Sequence, residues 1–255
     1  MSLDMTSFDA ALKQHYTAEK VENMVYMDNP FLALVAKYEE FGGRNLPIPL
    51  VYGNPQGRSK TFANAQTRGG LTNSLIHDFV LTRVKDYSIA TIDNETLEAS
   101  KGNSNAFMEA ATTEIDGAIN TLTRSIAVDL YTDSSASIGQ VSAEPTEAAT
   151  FTLTLKSSGD ITNFEVGQIL VIWSAKTGGT QRLAETGNDT FEVATVDRSA
   201  GTLTVTDTYD TNGTIAADDF IFIEGDRGLG ISGLEGWVPS AAPGATAFFG
   251  VDRTA

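Results

Sequence analysis

The sequence predicts an α+β chain built from three successive parts: an extended β-hairpin, a long helix and a separate segment of short strands. Residues 44–92 contain two extended stretches around a polar, glycine-rich tip. Residues 103–133 place apolar side chains three or four positions apart, which is the spacing of one helical face. Residues 138–226 contain only short apolar stretches between turn sequences, a pattern typical of a small antiparallel barrel or sandwich.

The segment before the hairpin is polar. Residues 1–28 carry Phe8, Leu12 and Tyr16 at helical spacing and predict a short amphipathic helix or an extended arm. Pro30 stands at the favoured first position of a compact helix over residues 30–40, which glycine then ends.

The hairpin is predicted to need a partner. Pro47 and Pro49 exclude a helix and confine their strand to a sheet edge, and the tip offers few apolar residues to bury. A lone two-stranded hairpin is marginally stable in water. Another copy of the chain is the most economical partner, and the alternative is an unsupported surface loop.

The long helix follows a short helical turn predicted over residues 93–98. About 28 residues at 1.5 Å each make a rod of about 42 Å, which needs packing partners along its length. Its apolar face consists of Phe107, Ala111, Ile115, Ile119, Leu122, Ile126 and Leu130.

The strand-only segment predicts five strands, at residues 149–156, 165–175, 190–197, 201–207 and 218–225. Turn sequences rich in glycine, asparagine and aspartate separate them. The change of composition at both ends of the segment indicates an inserted domain.

Charge divides the chain into a basic and an acidic part. The formal net charge is −16, yet residues 44–92 hold six basic and two acidic residues, whereas residues 138–226 hold 14 acidic and four basic ones. A basic hairpin that meets an acidic neighbouring subunit explains this division better than DNA binding does. The predicted interface residues are Arg44, Arg58, Lys60, Phe62, Arg68, Arg83 and Lys85.

No catalytic or cofactor motif stands out, and the sequence predicts neither an enzyme nor a cofactor. Residues 228–233 match G-x-G-x-x-G, but no long helix can follow them. Residues 208–219 resemble a calcium loop, although Asn212 and Gly213 fit a type I′ hairpin turn better. There is no cysteine, no apolar run long enough for a membrane span and no signal-peptide pattern.

Several stretches, taken in order, point to one family. They are RNLPIPLVYGNPQGRSKTFANAQ, FVLTRVKDYSIATIDNETLEASKG, the helix from Asn103, NFEVGQILVI, VATVDRSAGTLTV, FIFIEGDRG and GISGLEGWVP. Their order resembles the major capsid protein of tailed bacteriophages, which has the Hong Kong ninety-seven-type fold. The resemblance spans about residues 30–250 and implies a phage-capsid fold with a long spine helix, an extended β-hairpin loop and an inserted small antiparallel β-barrel or sandwich.

The resemblance also implies domain boundaries: an N-terminal arm and short helix at residues 1–43, an extended hairpin loop at 44–92, the spine helix of a peripheral domain at 93–137, an inserted acidic β-domain at 138–226 and a Gly/Pro-rich return segment at 227–255. The family continues into an axial domain, which is expected to be missing from a chain that ends at Ala255. In some members a lysine of the hairpin forms a covalent crosslink, and Lys60 is the corresponding candidate here.

The function that the resemblance implies is structural. The subunit would assemble with itself into hexamers and pentamers of an icosahedral shell around double-stranded DNA, without sequence-specific DNA binding and without a membrane. Scaffolding, portal and decoration proteins would be further partners. The shell would be a virion capsid assembled in the host cytoplasm.

Two alternatives stay open at this point. The acidic β-domain could be a binding module for carbohydrate or calcium on a helical stem, with Trp173 and Tyr209 exposed on one face. An encapsulin-like compartment is the other alternative.

Overall fold

The computed structural model describes residues 30–36, 38, 41–71, 73–92, 104–244 and 247–254, with the side chains of residues 104–113 left undescribed. The chain divides into two compact units. The first comprises Met1–Ala36 and Lys85–Val238, and the second comprises Lys37–Val84 and Pro239–Ala255.

A six-stranded antiparallel sheet forms the centre of the first unit. In spatial order its strands are β3, β8, β5, β6, β7 and β4. Their bounds are Gly139–Gln140 for β3, Phe151–Thr154 for β4, Ile169–Trp173 for β5, Phe191–Asp197 for β6, Thr202–Val205 for β7 and Phe220–Ile223 for β8.

The two outer strands of this sheet are also joined to each other. Val141 and Leu155 form an antiparallel bridge just beyond β3 and β4. The Ser142 amide donates to the Thr154 carbonyl at 2.8 Å, and the Lys156 amide donates to the Gln140 carbonyl at 2.8 Å. The sheet therefore curls round a single core.

Apolar side chains at every second position of the strands fill that core. In β4, Phe151 and Leu153 are buried while Thr152 and Thr154 are exposed, as expected for a strand with one face inward. The Phe151 ring lies edge-on to the Phe191 ring, with centroids 6.0 Å apart. The core as a whole contains Ile138, Val141, Phe151, Leu153, Leu155, Ile161, Phe164, Leu170, Ile172, Ala184, Phe191, Val193, Leu203, Val205, Tyr209, Ile215 and Ile221.

The described part of the first unit also contains four helices. They are α1 (Pro30–Leu34), α3 (Ser104–Asp129, 26 residues), a 3-10 helix (Ser158–Asn163) and α4 (Leu234–Trp237). Of the side chains of α3 from Glu114 onward, only Ile119 and Thr123 are buried. The long helix is thus partly solvated and lies outside the main core.

The fold class predicted from the sequence is wrong. The described residues form a mixed but strand-rich structure with a six-stranded antiparallel sheet and a two-stranded sheet. It is not a phage-capsid fold organised around a spine helix. The helical spacing of residues 104–129 predicted a helix, but it did not reveal that the largest core would form inside the sheet and not along the helix.

The second unit contains the hairpin. Strand β1 (Asn45–Gly53) pairs antiparallel with β2 (Leu75–Thr82), and helix α2 (Phe62–Gly69) lies in the connection between them. The sequence predicted turns at this tip, although Ala63, Ala65 and Gln66 favour a helix. The second strand was expected to continue to residue 92, but regular pairing ends at Thr82.

Each of the five predicted strands of the acidic segment contains an observed strand. The predicted helix over residues 30–40 ends at Leu34. The predictions for residues 1–28 and 93–98 lie outside the described residues, and the five predicted domain boundaries stay predictions.

Asp129, at the end of α3, provides a test of this packing. Burial raises the pKa of its carboxyl, the Ile231 amide at 3.3 Å lowers it, and the charges of Asp86 and Asp226 raise it again, so that the pKa lies above its ordinary value. A carboxyl with a raised pKa in the folded state lowers stability when it is ionised, and this cost disappears as pH falls below the unfolded value.

We therefore expect Asp129→Asn, which keeps an acceptor for the Ile231 amide, to raise the free energy of unfolding near neutral pH by up to about 1 kcal/mol. Urea unfolding at a series of pH values measures this, with E114Q on the exposed side of α3 as the matched control. A stabilisation that persists unchanged at a pH below the ordinary pKa of an aspartate would contradict the assignment.

Candidate subunit interface

The hairpin presents two apolar faces. Cross-strand partners share a face, so Ile48 lies with Phe79 and Leu50 lies with His77 on one side. Val51 lies with Ile76 on the other side. Apolar residues at consecutive positions of a strand are typical of a strand that is covered on both faces.

Among the described residues, both faces stay partly exposed. The exposed fractions are 42% for Ile48, 44% for Leu50, 58% for Val51 and 60% for Ile76. Contiguous apolar surface of this kind marks interaction sites in soluble proteins.

The second unit has no core of its own. Among its described residues, none is buried, whereas the sheet of the first unit contains a large set of fully buried side chains. A two-stranded sheet without a buried face has little hydrophobic stabilisation to offset the entropy of ordering. The described part of this unit therefore gives the hairpin no buried layer that would stabilise it.

The edges of the hairpin are less open than its faces. Pro47 pairs with Val80, whose amide points away from β1 and donates to the Phe249 carbonyl at 2.9 Å. In an antiparallel pair, successive residues direct their backbone amides alternately toward and away from the partner strand. Pro47 and Pro49 therefore occupy positions of β1 whose amides would point away from β2. Proline has no amide hydrogen, so this edge resists strand addition.

A small aromatic cluster supports the base of the hairpin. The Phe79 ring lies 5.0 Å from the Phe249 ring and 6.2 Å from the Phe248 ring, measured between centroids. The Arg253 guanidinium lies 4.0 Å above the Phe248 ring. On the same unit, Arg83 donates to the Phe41 carbonyl at 2.7 Å. These contacts stabilise the base of the hairpin, and none of them reaches the half of the hairpin that lies toward the tip.

The tip combines positive charge with exposed apolar side chains. Phe62, the first residue of α2, is 83% exposed and Leu71 is 75% exposed. A Cβ placed on Gly57 would lie 3.0 Å from the Gly69 Cα, so the backbones on the two sides of α2 touch. Arg58 and Arg68, the chain neighbours of these glycines, are therefore close to each other.

All seven residues predicted at the interface are exposed, namely Arg44, Arg58, Lys60, Phe62, Arg68, Arg83 and Lys85. Arg58, Lys60, Phe62 and Arg68 lie at the tip, Arg44 and Arg83 lie at the base, and Lys85 begins the first unit. Their role in an interface stays a prediction.

Sequence reasoning missed the apolar residues of both strand faces, such as Ile48, Val51 and Ile76. The run Ile48 to Tyr52, interrupted only by proline, was the signal that could have identified them.

The aromatic residues proposed for a carbohydrate-binding face lie elsewhere. Tyr209 is only 2% exposed and belongs to the core. Burial raises its pKa to about 12, and the neighbouring Glu144 adds to this effect. The Trp173 ring is covered by the Arg227 guanidinium at 3.8 Å. The two side chains therefore do not form one exposed aromatic face.

The calcium-like loop has a different local structure from a metal loop. Both carboxylate oxygens of Asp210 accept hydrogen bonds from Asn212 at 2.9 Å. The described part of the chain contains no group of three or more histidine, cysteine, aspartate or glutamate residues arranged to hold a metal ion. Within the same part, no helix has the length and apolar character to cross a membrane.

A groove of about 440 Å³ lies beside α3 in the first unit, between Tyr131, Thr132 and the 3-10 helix. Two of its polar lining side chains, Arg124 and Asn163, are engaged in hydrogen bonds. Arg124 bonds to Glu165 and to the Thr162 carbonyl, and Asn163 donates to the Ile138 carbonyl at 2.9 Å. The bonds of Arg124 attach helix α3 to the end of the 3-10 helix and to the segment between that helix and β5.

Comparison of the chain with protein-family models, with curated proteins and with solved structures found no match. The resemblance to phage capsid proteins therefore depends on the sequence stretches alone.

Proposed function

We propose that this protein is a structural subunit that associates with copies of itself to build the shell of a tailed bacteriophage, a virion capsid that encloses double-stranded DNA and assembles in the host cytoplasm. Hexamers and pentamers would be its assembly units. Scaffolding, portal and decoration proteins would be its further partners.

The observation that supports this proposal is the uncovered hairpin. None of the described residues of its unit is buried, and apolar side chains stand exposed on both strand faces. Burial of a side chain of this size is worth about 1.5–3 kcal/mol. Permanent protein interfaces bury on the order of 2,000 Å² or more, and a hairpin covered on two faces by neighbouring copies is one way to reach that area.

The charge of the chain fits an enclosing role. At −16, with 14 acidic and four basic residues in the strand-only segment, the protein lacks the overall basic character of a DNA-gripping surface. A shell wall of this charge would enclose DNA without holding it tightly, which suits packing and release.

Negative-stain electron microscopy and sedimentation velocity of the purified full-length protein test the proposal. Closed shells, tubes or capsomer rings are expected at micromolar subunit concentration. Particles that stay monomeric or small over the whole accessible concentration range would overturn it and favour a binding module. Shells that form and package a protein cargo instead of DNA would favour an encapsulin-like compartment.

A further inference from the structure

One end of the six-stranded sheet carries concentrated negative charge. We call this surface the acidic end. Hydrogen bonds bring its segments together: the Asn188 side chain donates to Asp207 at 3.2 Å, the Glu192 amide donates to the same carboxylate at 3.2 Å, and the Asp210 amide donates to the Ala184 carbonyl at 3.2 Å. Its acidic residues are Glu185, Asp189, Glu192, Asp207 and Asp210.

The bonds at the acidic end come from neutral donors. They fix the positions of the carboxylates but do not cancel their charge. Residues 183–197 and 199–226 contain no lysine or arginine. The adjacent Arg182 is already paired with Asp219 at 2.8 Å, and the Asp219 side chain is only 3% exposed.

The acidic end also has an exposed apolar element. Ile169 is the cross-strand partner of Glu192, so the two side chains share a face. Ile169 is 46% exposed, and the nearby Val166 is 64% exposed. An apolar centre bordered by charge is the usual arrangement of a protein–protein interface.

The hairpin tip has the complementary arrangement. Phe62 and Leu71 supply exposed apolar surface, while Arg58, Lys60 and Arg68 supply positive charge. Opposite charges at the border of an interface accelerate encounter and select the partner.

We propose that the hairpin tip of one copy docks on the acidic end of a second copy. This inference rests on the proposed self-association and adds to it the surface that receives the hairpin. Phe62 would cover the exposed apolar side chains beside Glu192, and the basic residues of the tip would face the carboxylates.

A charge-exchange experiment tests this docking. The tip variant is R58E/K60E, the receiving variant is E185K/E192K, and the third variant carries all four substitutions. We expect each two-residue variant to raise the subunit concentration required for half-maximal assembly about ten-fold or more, because like charges would then face each other. The four-residue variant should return to within about three-fold of the wild type, because the pairing is restored with exchanged signs. Sedimentation velocity at fixed low ionic strength provides the readout.

The control E114K makes one Glu→Lys substitution on helix α3, which belongs to neither surface, and should assemble like the wild type. Thermal unfolding of each variant shows whether the sheet still folds. If E185K/E192K unfolds, E185Q/E192Q replaces it, and a smaller loss of assembly is expected.

Assembly of the folded receiving variant at the wild-type concentration would overturn the docking surface while leaving self-association intact. Loss of assembly in the four-residue variant, with no recovery, would also overturn it. A wild-type protein that never assembles would instead overturn the proposed function.

Discussion

The double substitution Leu50→Thr and Val51→Thr is expected to abolish self-association at concentrations where the wild type assembles. The two residues lie on opposite faces of β1 and are 44% and 58% exposed in the single chain. Threonine is β-branched and favours strands, so the substitutions remove apolar surface without lowering strand propensity. The loss should be about 3 kcal/mol for each docked hairpin, a factor of about 100 in affinity.

Sedimentation velocity and electron microscopy measure this effect, and circular dichroism reports whether the six-stranded sheet is retained. Leu229→Thr with Val238→Thr is the matched control, because these residues are exposed apolar side chains of the first unit. Unchanged assembly of the β1 variant would show that the strand faces are not the contact surface. Equal loss in both double variants would point to a general effect of surface hydrophobicity.

Phe191→Ala is expected to destabilise the six-stranded sheet by about 3–5 kcal/mol. Phe191 is fully buried, and its ring packs edge-on against Phe151 at a centroid distance of 6.0 Å. The substitution leaves a cavity between β5 and β6, next to the fully buried Leu170, which is the cross-strand partner of Phe191. Because neighbouring strands close round the same core, the surrounding side chains can collapse only in part.

Urea unfolding followed by circular dichroism measures the free-energy change. Thr195→Ala, at an exposed position of the same strand, should change stability by less than about 0.5 kcal/mol. A cost below about 1 kcal/mol for Phe191→Ala would contradict the assignment of this residue to the centre of the core.

Local patterns predicted the strands of the acidic segment well. In TFTLTLK, apolar residues alternate with threonine, and the structure buries Phe151 and Leu153 while it exposes the threonines. Such alternation reflects the two faces of a strand, so it can be read without knowledge of distant contacts.

Patterns that depend on how side chains pack could not be interpreted in the same way. Gly213 was assigned to a type I′ turn, but its backbone is not in the left-handed region that this turn requires. The structure shows instead that a Cβ at this position would lie 2.4 Å from the Tyr209 ring. Glycine is needed here because an aromatic side chain approaches the backbone, which the neighbouring sequence does not indicate.

The candidate interface was also only partly accessible from the sequence. Charge counts identified Arg58, Lys60 and Arg68, because residue type alone gives charge. The exposed strand residues Ile48 and Ile76 were not identified, since apolar residues are ordinarily expected in a core.

The sequence by itself determined the positions of five of the six strands of the large sheet, a long helix within residues 103–133 and the separation of basic from acidic segments. Helical and strand periodicities and charge are local properties, and they are fixed before the chain packs. Only the tertiary structure decided that the core would form inside a sheet joined through Val141 and Leu155, that the long helix would remain partly solvated, and that the hairpin would have no buried residue among those described. Burial depends on which distant segments meet, and that information is distributed over the whole chain.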